Sequence, residues 1–214
     1  MPDQPDVLYY SPGSASFAVH WLLIELDRPH LLERVDTAAG QQRSPEYLAL
    51  NPNGRVPTLV IDGASQHEAA ALLITLADAD PAHRFAPQPG DPDRALFLQW
   101  MFNLANEVQP LLRQWWYPGE VAGEAHAEAV RATVERRLQA AWERIDAALA
   151  QRGPYLLGAS ISAADLYLTM LLRWSRQTAR QGIDWPRLRA LAELTTSRPA
   201  FAEVYAREGL TEWP

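Results

Sequence analysis

The sequence offers few side chains that could take part in covalent chemistry. It contains no cysteine, and its 19 strongly basic residues are all arginine. This composition excludes thiol and lysine nucleophiles, cysteine-bound zinc, iron–sulfur clusters and disulfides. The five histidines lack the spacing of metal ligands on one helix face, so we predict no metal site. Among the many hydroxyl groups of the chain, those of Tyr10, Ser11 and Ser14 lie close together where a short apolar run meets a helical pattern.

Spacing alone favours structural roles for these hydroxyl groups. A serine at the start of a helix commonly accepts a hydrogen bond from the helix's first N–H groups, and Ser14 is placed to act as such an N-cap. Tyr10 has the position of a core aromatic residue at the end of a strand. A catalytic interpretation therefore needs evidence from the rest of the chain.

The first 80 residues alternate short apolar runs with helical patterns, in the order β-α-β-(α)-β-β-α. The predicted strands are residues 7–10, 31–35 and 58–61, with a hairpin turn at Asp62-Gly63 leading into a fourth. The predicted helices are residues 14–27, 44–50 and 69–78. Because a helix connects the first two strands, we expect this pair to be parallel and the last pair to be antiparallel.

A proline-rich stretch follows, and the chain beyond it has a helical pattern to its end. We predict a domain over residues 1–80, a linker over 81–92 and an all-α domain over 93–214. The predicted helices are residues 93–116, 124–151, 162–179, 185–196 and 199–207. Ser162 and Asp165 have the spacing of a capping box at the start of the third of these helices.

Charge and hydropathy exclude two classes of partner. The chain has 26 acidic residues against 19 basic ones and a formal net charge of -7, which argues against a nucleic-acid-binding protein. No apolar run approaches the length of about 18 residues that spans a bilayer. The N-terminus lacks the basic and apolar regions of a signal peptide, so we expect a cytoplasmic protein without membrane partners.

Four stretches together resemble the cytosolic glutathione transferases over nearly the whole chain. They are Tyr9-Tyr10-Ser11-Pro12-Gly13-Ser14, Asn51-Pro52-Asn53-Gly54-Arg55-Val56-Pro57-Thr58-Leu59, the segment from Glu68 to Asp78, and Ser162-Ala163-Ala164-Asp165-Leu166-Tyr167. The resemblance implies an α/β thioredoxin-like N-terminal domain followed by an all-α C-terminal helical domain. It also implies a homodimer that uses glutathione as co-substrate, conjugating it to small hydrophobic electrophiles without a metal.

The resemblance suggests a catalytic role for the hydroxyl cluster. In serine-type members the catalytic hydroxyl lies near the start of the first helix, and the pattern Tyr-x-Pro-Gly-Ser places it at Ser14. Ser11 is the second candidate and Tyr10 the third. Bacterial beta-class members carry a cysteine at the position of Ala15, so their mechanism is not expected here.

The same resemblance assigns residues to each end of glutathione. Val56, before a cis-proline at Pro57, pairs with the glutathione main chain, and Arg55 meets the glycyl carboxylate. Glu68 and the helix start at Ala69 hold the γ-glutamyl end. A solvated surface role for Arg55 and a helix-end charge for Glu68 are the structural alternatives.

An aromatic run near the end of the first long helix is the candidate electrophile site. Three consecutive aromatic residues, Trp115, Trp116 and Tyr117, cannot all face one core, and with Phe17 we predict that they wall a flat apolar pocket between the domains.

Several departures from the family pattern keep other functions open. Ala69 replaces a hydroxyl residue, Gln109 a histidine and Gly40 a lysine. The alternatives are a non-catalytic glutathione-transferase-like binding module, or another glutathione-dependent reaction such as isomerisation, dehalogenation or peroxide reduction.

Overall fold

A computed structural model of the chain describes residues 5–213. They form two compact units, one of residues 5–83 with 198–212 and the other of residues 84–197 with 213. The chain passes from the first unit to the second between residues 83 and 84. The contacts add one feature that the sequence pattern did not indicate: the last helix belongs with the first unit, because it packs against that unit's first helix.

The first unit is built on a four-stranded sheet of order β2-β1-β3-β4. Its strands are β1 (Asp6–Tyr10), β2 (His30–Arg34), β3 (Thr58–Ile61) and β4 (Ala64–His67). β1 and β2 are parallel, whereas β1 with β3 and β3 with β4 are antiparallel, which confirms the predicted directions. The sheet and its helices give the thioredoxin-like half of the predicted fold.

Four helices accompany this sheet: α1 (Ser16–Glu25), α2 (Pro45–Leu50), α3 (Ala69–Asp78) and α10 (Pro199–Glu208). α1 is buried along its first two turns and contacts both α3 and α10. This burial explains why the helix is apolar almost all round, since it has neighbours on several sides.

The second unit is helical. It contains α4 (Arg94–Asn103), α5 (Gln109–Trp116), α6 (Gly119–Ala122), α7 (Ala127–Arg152), α8 (Ala163–Trp174) and α9 (Pro186–Thr196). The helix predicted over residues 93–116 is interrupted by a π-helical segment, Leu104–Val108. Pro110 follows this segment and has no N–H to bond the carbonyl four residues earlier, which accounts for an irregularity at this point.

The longest helix, α7, carries charged residues along its length. Within residues 5–213, no helix combines the length and the apolar character needed to cross a membrane.

Candidate active site

Strand register brings three of the predicted glutathione-binding stretches to one edge of the sheet. Tyr9 at the end of β1 lies opposite Thr58 at the start of β3, and Thr58 lies opposite His67 at the end of β4. The turn after β1, the loop before β3 and the start of α3 therefore all leave the sheet at this edge. β2 ends there as well, since it runs parallel to β1.

The turn from β1 to α1 is tight and is closed by its own backbone. Ser14 N–H donates to Ser11 O at 3.1 Å, and Phe17 N–H donates to Ser14 O at 3.0 Å. Gly13 has φ +65°, a left-handed conformation that favours glycine. The turn thus sets Ser14 immediately before the first residues of α1.

The three candidate hydroxyl groups have different surroundings. Ser14 is half-buried, and its Oγ lies 2.9 Å from Ser16 Oγ. Ser11 Oγ lies 3.2 Å from Thr37 Oγ1. The ring of Tyr10 packs beside that of His20, with 6.1 Å between ring centroids. Ser14 is therefore the candidate that combines partial exposure with a position at the start of α1.

The loop before β3 is held by two buried polar side chains. Tyr47 O–H donates to Arg55 O at 2.7 Å, and Asn51 Nδ2 donates to the same oxygen at 2.8 Å. Both side chains also reach Thr58 Oγ1, at 2.8 and 3.1 Å. These contacts fix the backbone on either side of Val56.

Val56 precedes a cis peptide bond to Pro57, as predicted. Its N–H and C=O make no hydrogen bond within residues 5–213. Arg55 is exposed, whereas Pro57 is buried. The backbone of Val56 is thus available to an added strand, the mode in which an extended peptide pairs with a sheet.

The start of α3 presents an exposed acid in an unusual conformation. Glu68 has φ +74° and ψ 111°, and Asn53 Nδ2 lies 3.4 Å from its Oε1. A non-glycine residue with positive φ is strained, and such strain concentrates at functional sites. Ala69 is buried and begins α3, whose first N–H groups point out of the helix end. The segment offers a carboxyl group beside an anion-binding helix terminus.

Two buried residues near the turn after β1, His20 and Glu208, were not singled out from the sequence. Gly13 N–H donates to Glu208 Oε2 at 2.7 Å, and His20 Nδ1 lies 2.8 Å from Glu208 Oε1. The side chains of His20 and Glu208 have no exposed surface. Glu208 ends α10, where the helix dipole disfavours a carboxylate, and this placement was the one available signal. The acid holds the turn between β1 and α1 from a position 195 residues away along the chain.

The predicted aromatic wall diverges in the structure. In the second unit, Trp115 Nε1 donates to Glu135 Oε1 at 2.9 Å, and Trp116 Nε1 donates to Trp174 O at 3.0 Å. Tyr117 is 55% exposed. The rings of Trp115 and Trp116 make an edge contact with 5.3 Å between their centroids, whereas that of Tyr117 is exposed, so the three do not form one flat wall.

Phe17 has a different environment, in the first unit. It is 1% exposed and makes edge contacts with Trp21, Phe201 and Tyr205. This packing gives Phe17 a core role and leaves it no free ring face for a substrate.

The residues that depart from the family pattern are all accommodated structurally. Ala15 is buried before α1, Gly40 has φ +79°, and Tyr167 O–H donates to Gln109 Oε1 at 2.5 Å. Residues 5–213 contain no group of three or more potential metal-ligating histidine, aspartate or glutamate side chains.

Comparison with known proteins gives the same family at both ends of the chain. Residues 14–79 match the family described as "Glutathione S-transferase, N-terminal domain", and residues 127–207 match "Glutathione S-transferase, C-terminal domain". Together the two matches cover more than half of the sequence.

Individual relatives agree with these matches. Glutathione S-transferase GST-4.5 of Xanthomonas campestris is 31% identical to this chain, over 93% of this chain and 95% of its own length. Glutathione S-transferase GstA of Escherichia coli O157:H7 is 27% identical, over 95% and 98%. A crystal structure of a glutathione transferase homolog from Sulfitobacter, with bound glutathione, has a TM-score of 0.88 and 29% identity, covering 97% of this chain and 99% of its own.

Proposed function

Because the chain belongs to the glutathione S-transferase family, we propose that it ionises the thiol of bound glutathione with Ser14 Oγ as the stabilising donor. The thiolate then attacks a small hydrophobic electrophile. The observation that carries the proposal is the convergence, at one sheet edge, of the Ser11–Ser14 turn, the unpaired Val56 backbone and the start of α3.

The energy required is within reach of one hydroxyl group. A free thiol has a pKa of about 8.5, and lowering it by two units needs about 2.7 kcal/mol of preference for the anion. A hydrogen bond to a charged group contributes roughly 1.5–3 kcal/mol. A helix N-terminus adds roughly 0.3–1 kcal/mol. No protein thiol, histidine or metal is needed, since the sulfur belongs to the substrate.

The remaining contacts orient the tripeptide. Val56 pairs with its main chain, Arg55 meets its glycyl carboxylate, and Glu68 with the start of α3 receives its γ-glutamyl end. Support for these roles comes from the exposure of Arg55 and Glu68 and from the unpaired backbone of Val56. With an alanine at position 69, one side-chain hydrogen bond is missing, so we expect weaker glutathione binding than in members with a hydroxyl residue there.

The second substrate is a small hydrophobic electrophile. With a chlorinated aromatic compound, the sulfur lone pair forms the new carbon–sulfur bond and the carbon–chlorine pair leaves as chloride. The thiol proton passes to solvent when glutathione binds.

Replacing Ser14 by alanine tests the proposal. We expect turnover of a chlorinated aromatic substrate at neutral pH to fall about 10- to 100-fold, the equivalent of one charged hydrogen bond. Circular dichroism should stay unchanged, and Ser197→Ala, which alters an exposed serine at the end of α9, should leave turnover unaffected. Full activity of Ser14→Ala would transfer the role to Ser11 or Tyr10.

Two further properties are proposed on the family resemblance. We expect a homodimer, measurable by analytical ultracentrifugation, and a cytoplasmic location, measurable by cell fractionation. Retention on a glutathione-affinity column without any conjugating activity would favour the alternative of a binding module.

A further inference from the structure

Ser16, two residues after Ser14, has a side chain with three polar neighbours. Ser16 is fully buried. Its Oγ lies 2.9 Å from Ser14 Oγ, 3.2 Å from Ser11 O and 3.3 Å from Ser11 N. Ser11 N–H can only donate and Ser11 O can only accept, whereas Ser14 Oγ can do either.

A hydroxyl group has one proton, so these neighbours allow two arrangements. In the first, Ser16 O–H donates to Ser11 O, and Ser14 O–H donates to Ser16 Oγ. The proton of Ser14 then points into the protein and is not available to a ligand. In the second, Ser16 O–H donates to Ser14 Oγ, and the proton of Ser14 is released to point outward.

The second arrangement leaves no backbone group unsatisfied. Ser11 O still accepts from Ser14 N–H at 3.1 Å, and Ser11 N–H still donates to Ser16 Oγ. Ser14 Oγ then accepts from Ser16 O–H and from Ser16 N–H, which lies 3.4 Å away. A hydroxyl that accepts hydrogen bonds becomes a stronger donor, because chained hydrogen bonds polarise one another.

We propose that Ser16 is a positioning residue. It orients the Ser14 O–H so that this group donates a hydrogen bond to the glutathione thiolate. This inference rests on the proposed function of Ser14. Binding of an anion selects the second arrangement, since only that arrangement provides an outward O–H. Ser16 touches neither substrate and acts wholly through Ser14.

The neighbouring hydroxyl of Ser11 has a separate partner. Ser11 Oγ pairs with Thr37 Oγ1, and it is the backbone of Ser11, not its side chain, that contacts Ser16. Removal of the Ser11 hydroxyl therefore leaves both arrangements intact. This separates Ser16 from Ser11 by experiment.

A double-mutant cycle on the thiol pKa tests the proposal. The pKa of glutathione bound to the protein is read from the ultraviolet absorbance of its thiolate as a function of pH. We expect Ser14→Ala to raise this pKa by about 1–2 units and Ser16→Ala by about 0.4–1 unit, the sizes of a charged and a neutral hydrogen bond. In the Ser14→Ala background, Ser16→Ala should produce no further shift.

The possible outcomes distinguish an error in the proposed function of Ser14 from an error in the role of Ser16. An unshifted pKa in Ser14→Ala would contradict the proposed function itself. A normal effect of Ser14→Ala, combined with either no effect of Ser16→Ala or an equal effect in both backgrounds, would overturn the role of Ser16 alone. Ser175→Ala, which removes a buried serine hydroxyl in the second unit, serves as the matched control and should leave the thiol pKa unchanged.

Ser16→Thr provides a second route if the alanine variant does not fold. Threonine keeps the hydroxyl group, so the bound thiol should retain the wild-type pKa. If the bound thiol had the same pKa in Ser16→Thr as in Ser14→Ala, the proposed role of Ser16 would be wrong.

Discussion

At the scale of single residues, Asp165 shows how burial and hydrogen bonding oppose each other. The residue has no exposed surface. Its carboxyl oxygens accept from Leu156 N–H, Ser162 N–H and Ser162 O–H, each at 2.8 Å. These bonds favour the ionised form, but burial has the larger effect and raises the pKa of Asp165 from 3.8 to about 6.

The raised pKa makes a prediction about stability. Because the folded state holds this proton more tightly than the unfolded state, the contribution of Asp165 is fully present below pH 3.8 and is lost as pH rises through about 6. The free energy of unfolding of the wild type, relative to Asp165→Asn, should therefore fall by about 2 kcal/mol between pH 4 and pH 7. Urea denaturation of both proteins across this range measures it, and a constant difference would show that the carboxyl group is not perturbed.

At the scale of elements, the short helix α2 and the residue that follows it shape the loop before β3, which we propose binds glutathione. Asn51 is 2% exposed, and its side chain bonds Arg55 O, Thr58 Oγ1 and the N–H of Asn53. Tyr47 repeats the first two of these contacts from inside α2. The helix therefore holds the loop around Val56 in place, though neither side chain was singled out by the sequence.

We expect Asn51→Ala to weaken glutathione binding more than catalysis. It removes three hydrogen bonds and should lower the free energy of unfolding by about 1–3 kcal/mol, with a severalfold rise in the KM for glutathione. Tyr47→Phe should cost only about 1 kcal/mol, because Asn51 still donates to Arg55 O and to Thr58 Oγ1, although the Thr58 hydroxyl loses its contact with Tyr47. Steady-state kinetics with saturating electrophile measures the effect. Arg43→Ala, an exposed change in the same segment, is the control, and equal KM values in all three variants would refute the loop-holding role.

At the scale of the whole molecule, the chain returns to its first unit at its end. α10 packs on α1, and Arg198 at its start forms a bidentate ion pair with Glu25, at 2.5 and 2.6 Å. Glu208 at its other end bonds the buried His20 and the N–H of Gly13. The last helix thus anchors the turn between β1 and α1 through Gly13, and it also packs on α1.

Glu208→Ala should consequently affect both stability and activity. It removes the acceptor of the hydrogen bond from Gly13 N–H and the partner of the buried His20 Nδ1, so the free energy of unfolding should fall by about 2–5 kcal/mol. Turnover should fall as well, since the turn that presents Ser14 loses its anchor. Glu203→Ala is the matched control in the same helix, because its partner Arg207 is a surface residue and the pair contributes little. Chemical denaturation and conjugation kinetics compare the two, and equal losses would argue against the anchor.

Much of the fold was predictable because its signals are local. The strand Thr58–Ile61 and the helix Ala69–Asp78 have the predicted limits, since proline, an Asp-Gly turn and an apolar pattern mark their ends in the sequence itself. The helix predicted from residue 162 onward begins at Ala163, after its predicted cap. The break at Leu104–Val108 was not foreseen, since the helical periodicity continues across it.

The sequence by itself determined the order of the elements, the family resemblance and the presence of hydroxyl groups beside the start of α1. Only the tertiary structure decided that Ser16 lies within reach of Ser14, that Phe17 is enclosed in a core and that Glu208 holds Gly13. The physical reason is the range of the interactions. Periodicity and turn preferences act between neighbours, whereas a hydrogen bond depends on atomic positions that distant segments of the chain fix together.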